Sequence, residues 1–429
     1  DGTISRFGQI DPTLGGSSPR YSLSGRWTRS TRRASQHLDV YAVRYDLDLF
    51  SNFTYLLDNP VAGDQIRQED DGRWTFGADF RHGQKAGWFG KDHTWTVGTQ
   101  LRGDVADVTL SRTRQRELVS IVRNDLVSQY SGGLFLEVES RWTDFFRSTV
   151  GLRGDLYAFD VEADDPRNTG TADDGLVSPK ASLIFGPWAE TEFYVSGGYG
   201  FHSNDARGTV TTIDPASGEA TDPVDPLVRS VGGEVGIRTS ALPGLRSTVT
   251  LWTVDLDSEL LFVGDAGTTE ASDASTRVGL TVANFYRFAP GWSADVDVSF
   301  TRARFQELVE GEDRVPGAME NVIAAGLTRD TGRDGLTGSI RLRRFGTYPL
   351  IEDNSVRAQA HTMANLALGY RLGDLRLEVQ MLNVFDEQLS DIQYFYGSRL
   401  QGEAVGGVED VHFHPAEPRQ FRVRLSWGL

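Results

Sequence analysis

Apolar and polar side chains alternate along most of the chain. Between residues 374 and 384, for example, Leu375, Leu377 and Val379 alternate with charged or amide side chains. Successive side chains of an extended strand point to opposite faces, so a period of two predicts β-structure. Other segments share this period, and their predicted apolar faces are formed by Tyr41, Val43 and Tyr45; Trp74, Phe76 and Phe80; Trp95, Val97 and Leu101; Leu134 and Leu136; Val150 and Leu152; Val296, Val298 and Phe300; and Phe421, Val423, Leu425, Trp427 and Leu429.

The alternation predicts about 17 strands. Their expected spans are 20–29, 37–57, 73–82, 93–112, 130–141, 145–160, 176–186, 190–202, 228–239, 246–262, 276–288, 292–304, 320–328, 335–345, 357–372, 374–384 and 419–428. Short connections alternate with long polar ones, which are 58–72, 161–175, 203–227, 305–319 and 385–418. The two longest connections, 203–227 and 385–418, contain little sequence that resembles a strand.

This rhythm is typical of a membrane barrel, whose short turns lie on one side of the bilayer and whose long loops lie on the other. Indole side chains near strand ends fit the interfaces of a membrane. A soluble sandwich has no reason to keep such a rhythm, and no fixed repeat length favours a propeller or a solenoid. We therefore predict an all-β fold, an antiparallel, meandering transmembrane β-barrel whose polar faces line a wet lumen.

Composition narrows the possible functions. The chain has 429 residues, of which 39% are hydrophobic, and no run approaches the roughly 20 apolar residues that a spanning helix needs. Cysteine is absent, which removes disulfide and thiolate chemistry. The formal net charge of −17 argues against nucleic acid as a partner, because phosphates require a basic face.

Residues 383–386 read Asn-Val-Phe-Asp, and a long loop and one closing amphipathic strand follow them. This arrangement is similar to the barrel of the TonB-dependent outer-membrane receptors, which carry an asparagine–hydrophobe–phenylalanine–aspartate motif after a strand near the C-terminus. Residues 176–208 resemble the mid-barrel hairpin of that family and the start of its next outer loop. Residues 6–16 resemble a loop within the first third of such barrels, so the resemblance covers nearly the whole chain.

The sequence also departs from the family pattern. It shows no signal peptide, no plug and no box that engages TonB, and it ends at Leu429 where an aromatic residue is usual. About 17 strands are predicted, whereas such barrels have about 22. We therefore expect residues 1–429 to be a single, incomplete receptor β-barrel domain in which strands 20–29 and 419–428 do not form a normal seam.

The resemblance implies binding of a scarce nutrient at the outer membrane of a Gram-negative bacterium, with uptake powered through TonB, ExbB and ExbD. The expected partners are thus outer-membrane lipid, a nutrient ligand and that energising system. A ferric siderophore is the leading cargo, and cobalamin, haem, another metal chelate or a glycan are its rivals. A passive porin and an outer-membrane hydrolase stay as alternatives, since porins of about 16 to 18 strands are close to the predicted number.

One candidate cargo site stands at the outer end of a predicted strand. His202, Asn204, Asp205 and Arg207 could hydrogen-bond a ligand there, and Arg207 could pair with an anionic chelate. An ordered polar loop would explain the same residues without any ligand.

A second candidate site lies in the connection 385–418. Tyr394 and Tyr396 could stack on the flat surface of a ligand. His412 and His414 are two positions apart, which places both on one side of an extended segment where they could contact a ferric ligand. Packing within the loop is the alternative for all four residues.

Nothing in the sequence indicates catalysis or a resident cofactor. Neither a G-x-S-x-G elbow nor an H-E-x-x-H zinc motif occurs, so no catalytic residue is assigned. The acidic run at residues 69–71 could hold a cation, but such runs are usually solvated, and no metal ligand is assigned either.

Overall fold

The computed structural model describes residues 4–88, 90–263, 268–271, 273–307 and 311–428, and Leu429 lies outside these ranges. One antiparallel sheet of 18 strands forms the body of the described chain. Its strands are β1 (Gly15–Ser17), β2 (Arg20–Ser30), β3 (Ala34–Ser51), β4 (Ile66–Trp88), β5 (Lys91–Arg114), β6 (Glu117–Thr143), β7 (Phe146–Ala163), β8 (Gly170–Trp188), β9 (Thr191–Ser203), β10 (Leu227–Thr239), β11 (Leu245–Leu256), β14 (Ser275–Ala289), β15 (Trp292–Phe305), β16 (Asn321–Arg329), β17 (Gly335–Phe345), β18 (His361–Leu372), β19 (Leu375–Leu382) and β22 (Gln420–Trp427). Two separate hairpins are formed by β12 (Leu260–Val263) with β13 (Thr268–Ala271) and by β20 (Ser390–Ser398) with β21 (Val408–Pro415).

The sheet is a meander, as predicted. From β2 onward each of its strands pairs with the next sheet strand along the chain, and the ladder passes from β11 to β14 and from β19 to β22 around the hairpins. The ladder ends at β2 on one side and at β22 on the other, and within the described residues no register joins these two strands. A search of the same residues finds no helix with the length and hydropathy needed to cross a membrane.

Most short turns lie at one end of the sheet, and the long connections, together with the short turn between β5 and β6, lie at the other, which we take as the outer end. Several predicted boundaries are wrong there. β5 and β6 form one tall hairpin that turns at Gln115 and Arg116, and β3 ends at Ser51, not at residue 57. β8 begins at Gly170 inside the predicted connection 161–175, and β4 begins at Ile66 inside the predicted connection 58–72. Strands that rise above a bilayer meet water on both faces, so they lose the alternation that reveals a strand.

The connection 385–418 was also predicted wrongly, because it contains the β20–β21 hairpin. Phe395 and Val411 of this hairpin pack against a buried cluster formed by Tyr348, Leu350 and Ala358. The strand predicted over 246–262 is in fact divided, since β11 ends at Leu256 and residues 260–263 belong to β12.

The apolar faces point away from the polar face as predicted, and their side chains are widely exposed, which suits contact with lipid. Leu156 of β7, for example, is 72% exposed. β3 is the exception, because the ring of Tyr41 covers Gly77 on the same face as Asp79, whereas Val40 lies on the apolar face. Tyr41, Val43 and Tyr45 had been predicted to face lipid, and this prediction is wrong. Both faces of β3 carry apolar residues, and the ring of Tyr41 lies over Gly77 on the polar face.

On the polar face, the ion pair between Arg341 and Asp295 crosses a whole strand. Arg341 of β17 reaches over Gly326 of β16 to Asp295 of β15, with N–O distances of 2.6 and 2.7 Å. A Cβ atom at Gly326 would overlap the guanidinium group of Arg341. The missing side chain of this glycine therefore makes the bridge possible.

Two residues away on the same face of these three strands, an arginine and an aspartate stand in the same arrangement around an alanine. Arg343 and Asp297 flank Ala324 in the same way, on the same face. The described residues contain no ion pair between them, and both side chains are exposed. The methyl group of Ala324 occupies the place that Gly326 leaves free.

We expect Gly326→Ala to abolish the coupling between Arg341 and Asp295. A double-mutant cycle with Arg341→Gln and Asp295→Asn, measured by urea unfolding, should give up to about 1 kcal/mol in the parent chain and none in the alanine background. Ala324→Gly should create a coupling of similar size between Arg343 and Asp297. Equal coupling in both backgrounds would show that the glycine does not control the bridge.

Candidate functional site

The polar wall carries arginine and aspartate two positions apart on the same strand. This spacing puts both side chains on one face, where each pair closes with an N–O contact of 2.5 or 2.6 Å. The pairs are Arg102 with Asp104, Arg123 with Asp125, and Arg153 with Asp155. The pair on β6 is almost fully enclosed, since the side chains of Arg123 and Asp125 are 8% and 1% exposed.

The loop 204–226 adds a similar pair beside this enclosed one. Arg207 donates from Nε and Nη2 to the two carboxylate oxygens of Asp205, at 2.9 and 2.6 Å. Burial alone would raise the pKa of Asp205, but the hydrogen bonds and the charge of Arg207, with help from Arg123, lower it to about 2. The Arg207 charge is therefore already compensated, and an anionic cargo would have to compete with Asp205 for it.

The other two predicted residues of this segment lie at the base of the loop. Asn204 is buried and ties the loop together, because its side-chain amide donates to the carbonyl oxygen of Asp225 at 2.7 Å and its N–H donates to that of Pro226 at 3.0 Å. His202 is the second-last residue of β9 and lies on the polar face, and its enclosed Nε2 atom has no hydrogen-bond partner among the described residues.

The β20–β21 hairpin holds the other four predicted residues. Tyr396 stacks on His412 with 3.9 Å between the ring centroids and 10° between the planes. The carbonyl oxygen of Asp410 can only accept, so Nδ1 of His412 donates to it at 3.0 Å, and Nε2 accepts from the Ser398 hydroxyl group at 2.9 Å. Burial lowers the pKa of His412, which keeps its imidazole neutral near pH 7.

Tyr394 and His414 are the more accessible members of the hairpin. His414 is 70% exposed in its side chain, and its Nδ1 atom contacts Asp391 Oδ1 at 2.8 Å. Tyr394 is 38% exposed and lies opposite His412 in the register, and burial raises the pKa of its phenol. These two side chains can meet a solute without any rearrangement of the hairpin.

Ser398 and His412 are in contact, as a serine nucleophile and its histidine base are in a hydrolase. A hydrolytic nucleophile needs a base that is oriented by a third group, usually a carboxylate. Here a backbone carbonyl group orients His412, and within the described residues no group of three or more histidine, aspartate or glutamate side chains is arranged to hold a metal ion. The hairpin thus presents rings and a neutral imidazole for binding.

Neighbouring outer loops hold the hairpin in place. The loop 52–65 reaches it through two backbone hydrogen bonds of 3.0 Å, in which Leu56 N–H donates to Arg399 and Arg399 N–H donates to Thr54. Arg6 lies over the ring of Phe413 at 5.0 Å. The structure therefore brings Tyr394, Tyr396, His412 and His414 together, whereas no described contact joins them to the segment 202–207.

Three residues that shape the outer end of the lumen were not predicted from the sequence. Arg123 and Asp125 could have been found from the spacing of arginine and aspartate, which recurs at residues 102–104 and 153–155. Asn168, which binds the backbone of the loop 204–226, gives no signal of its own in the sequence.

The fold and its two faces define a transmembrane antiparallel β-barrel protein with a polar lumen and ordered outer loops. The sequence profile of the family described as "TonB dependent receptor-like, beta-barrel" matches residues 3–384, and the chain belongs to this family. The family is one of receptors, so the chain is not an enzyme.

Individual relatives are more distant. The pesticin receptor of Yersinia enterocolitica is 26% identical over 181 residues, which is 40% of this chain and 26% of that receptor. The ferric yersiniabactin uptake receptor FyuA from Yersinia pestis superposes with a TM-score of 0.70 at 14% identity, over 96% of this chain and 61% of that one. The ferric-catecholate import receptor Fiu from E. coli K12 gives 0.74 at 13% identity, over 97% and 65%. The chain thus spans less than two thirds of the length of these relatives.

Proposed function

We propose that this chain forms the wall and outer loops of a receptor that takes up a ferric siderophore or a similar metal chelate through the outer membrane of a Gram-negative bacterium. The β20–β21 hairpin carries this proposal, because it holds exposed and stacked rings at the outer end of a polar lumen. The similarity in fold to FyuA, a receptor for ferric yersiniabactin, and to Fiu, a receptor for ferric catecholates, supports the same class of cargo. The family name indicates dependence on TonB, and TonB with ExbB and ExbD would supply the energy.

Binding would use the accessible side chains first. Tyr394 offers a ring face and a phenol, and His414 offers an imidazole that Asp391 orients. Tyr396 and His412 serve as the platform beneath them, because their rings already contact each other. The pair Asp205–Arg207 is the weaker candidate for direct contact, since its charges compensate each other.

The test is titration of the receptor that contains this chain with three ferric chelates, a catecholate, a hydroxamate and a carboxylate, followed by tryptophan fluorescence. We expect at least one to bind, and we expect Tyr394→Ala with His414→Ala to weaken that binding by about tenfold or more, the equivalent of one to two ring contacts. Tyr370→Ala, a lipid-facing control with 51% exposure, should bind normally. Passive conductance with no chelate binding would favour the porin instead.

We also propose that further strands of the receptor cover the edges of β2 and β22. Unpaired backbone groups are very unfavourable in lipid, so both edges need partners inside a bilayer. Because the chain has no cysteine, one pair of introduced thiols can test this. Ser24→Cys with Arg424→Cys should stay reduced under mild oxidation in the assembled receptor, and a rapid disulfide would show that β2 and β22 close the barrel directly.

A further inference from the structure

The loop 204–226 does not rise away from the barrel but folds onto the polar wall. Phe159 and Val161 lie on the same face of β7 as Arg153 and Asp155, so they face the lumen. Both are almost fully buried, at 2% and 1% exposure, in a cluster with Ala206 of the loop, which is 3% exposed. An apolar contact inside a polar lumen thus anchors the start of this loop.

Asn168 fixes a second part of the loop. It ends the 3-10 turn Pro166–Asn168 between β7 and β8, and it is 3% exposed. Its Oδ1 atom accepts from the N–H groups of Thr212 and Ile213 at 2.9 and 3.0 Å, and its Nδ2 atom donates to the carbonyl oxygen of Ile213 at 2.8 Å. The side chain of Asn168 therefore satisfies backbone hydrogen-bonding groups of these two residues, as a neighbouring strand would in a sheet.

The turn that carries Asn168 is itself held firmly. Asp165 caps it by accepting from the N–H group of Arg167 at 2.9 Å, and Pro166 restricts the backbone at the next position. The hydroxyl group of Thr212 donates to the carbonyl oxygen of Arg167 at 2.8 Å, which adds a contact beside the asparagine. The β7–β8 connection is thus a rigid support for the loop.

The loop covers the outer part of the wall between β9 and β6. Burial by itself would lower the pKa of Arg207, but the hydrogen bond to Asp205 and the charges of Asp205, Asp125 and Asp70 raise it. Asp125 belongs to β6 and Asp70 to β4, whereas the loop starts from β9. Ala206 packs in one cluster with Phe159 of β7, and Val127 of β6 and Ala172 of β8 pack against that cluster, so the loop covers the two intervening strands, β7 and β8, and narrows the outer mouth on this side.

We propose that Asn168 is a positioning residue that holds the loop 204–226 over the side of the outer mouth formed by β6 to β9. It acts through the backbone of residues 212 and 213 and does not contact cargo. The bound loop restricts the entry of bulky solutes into the lumen, and its release opens the mouth. The proposal rests on the proposed function only in that the lumen is the route of the cargo.

The first experiment measures motion of the loop. Ala216→Cys places a single thiol at an exposed position of the loop in a chain without cysteine, and a nitroxide attached there reports mobility by electron paramagnetic resonance. We expect Asn168→Ala to raise the mobile fraction by about tenfold or more, the equivalent of losing one net hydrogen bond. Asn168→Asp keeps the two acceptor contacts and loses the donor, so it should give an intermediate value.

The second experiment measures entry into the lumen. Ser131→Cys lies on the polar face of β6, further from the outer end than Asp125, and it can be modified with a bulky, membrane-impermeant maleimide added from outside. Asn168→Ala should raise the modification rate by about the same factor as the mobile fraction. Asn354→Ala, which removes an asparagine side chain from a different outer loop, is the matched control and should change neither quantity.

The two experiments on Asn168→Ala, taken with the chelate titration, separate the positioning role of Asn168 from the proposed function. An immobile loop and an unchanged modification rate in folded Asn168→Ala protein would overturn the positioning role, even if ferric chelates bind. A mobile loop and faster modification in a protein that binds none of the three chelates would support the positioning role and remove the proposed function.

Discussion

Asp125→Ala should destabilise the folded barrel by about 3–5 kcal/mol, the range found when one partner of a buried ion pair is removed. Asp125 is 1% exposed in its side chain and contacts Arg123, which is 8% exposed, at 2.5 Å. Its carboxylate also compensates the charge of Arg207 in the loop above it. Alanine would leave both guanidinium groups without this partner. Urea unfolding of the protein in lipid vesicles measures the loss.

A second arginine–aspartate pair on the polar face provides the control for Asp125→Ala. Asp104→Ala removes the same residue type from the same spacing on β5, but Arg102 is 56% exposed, so the loss should stay below about 1 kcal/mol. Arg123→Met combined with Asp125→Ala should recover much of the stability, because the buried charge disappears with its partner. Equal losses for Asp104→Ala and Asp125→Ala would show that burial does not govern these pairs.

Leu136→Arg should oppose insertion by about 2–4 kcal/mol, as expected for arginine on the lipid face near the bilayer midplane. Leu136 lies on the apolar face of β6 and is 49% exposed. It stands six residues before Trp142, near the turn that follows β6, and a crossing takes about 9–11 residues. The arginine would therefore sit about midway through the hydrocarbon. Refolding yield into vesicles of defined composition measures the effect.

The cost of inserting an arginine on the apolar face should decrease from the middle of the bilayer toward its surface. Leu377→Arg changes a lipid-facing residue that follows the start of β19 by two positions, close to a short turn, so it should oppose insertion by only about 0–1 kcal/mol. Glu137→Gln, on the polar face beside Leu136, should insert normally. If both arginine variants insert as well as the parent chain, the apolar face does not contact lipid.

The architecture could be predicted from the sequence because lipid and water act on opposite faces of the same strand. That contrast gives a period of two wherever the wall crosses the bilayer, and the predicted meander rests on it. Where the strands rise into water the contrast disappears, which is why the tall β5–β6 hairpin was predicted as two strands with a gap. On β3 the contrast is weak, and the small residue opposite Tyr41 decides which face is which.

The candidate site was harder to predict because it depends on contacts between distant segments. Tyr396 and His412 could be singled out by residue type, but their stacking follows from the register of β20 with β21. Arg207 was predicted as a possible partner of an anionic chelate, and in the structure it pairs with Asp205, two positions away. Asn168 is an ordinary polar residue in its own sequence context, and only the folded position of residues 212 and 213 reveals its contacts.

The contrast between Gly326 and Ala324 has an electrical consequence. Arg341 and Asp295 form a compact dipole across the glycine, whereas Arg343 and Asp297 stand apart as two separate ions beside the alanine. A permeating ion would feel the field of the separated charges at longer range than that of the closed pair. Exchanging a hydrogen atom for a methyl group at an uncharged residue could therefore alter the ion selectivity of the lumen, although the net charge of the protein stays the same.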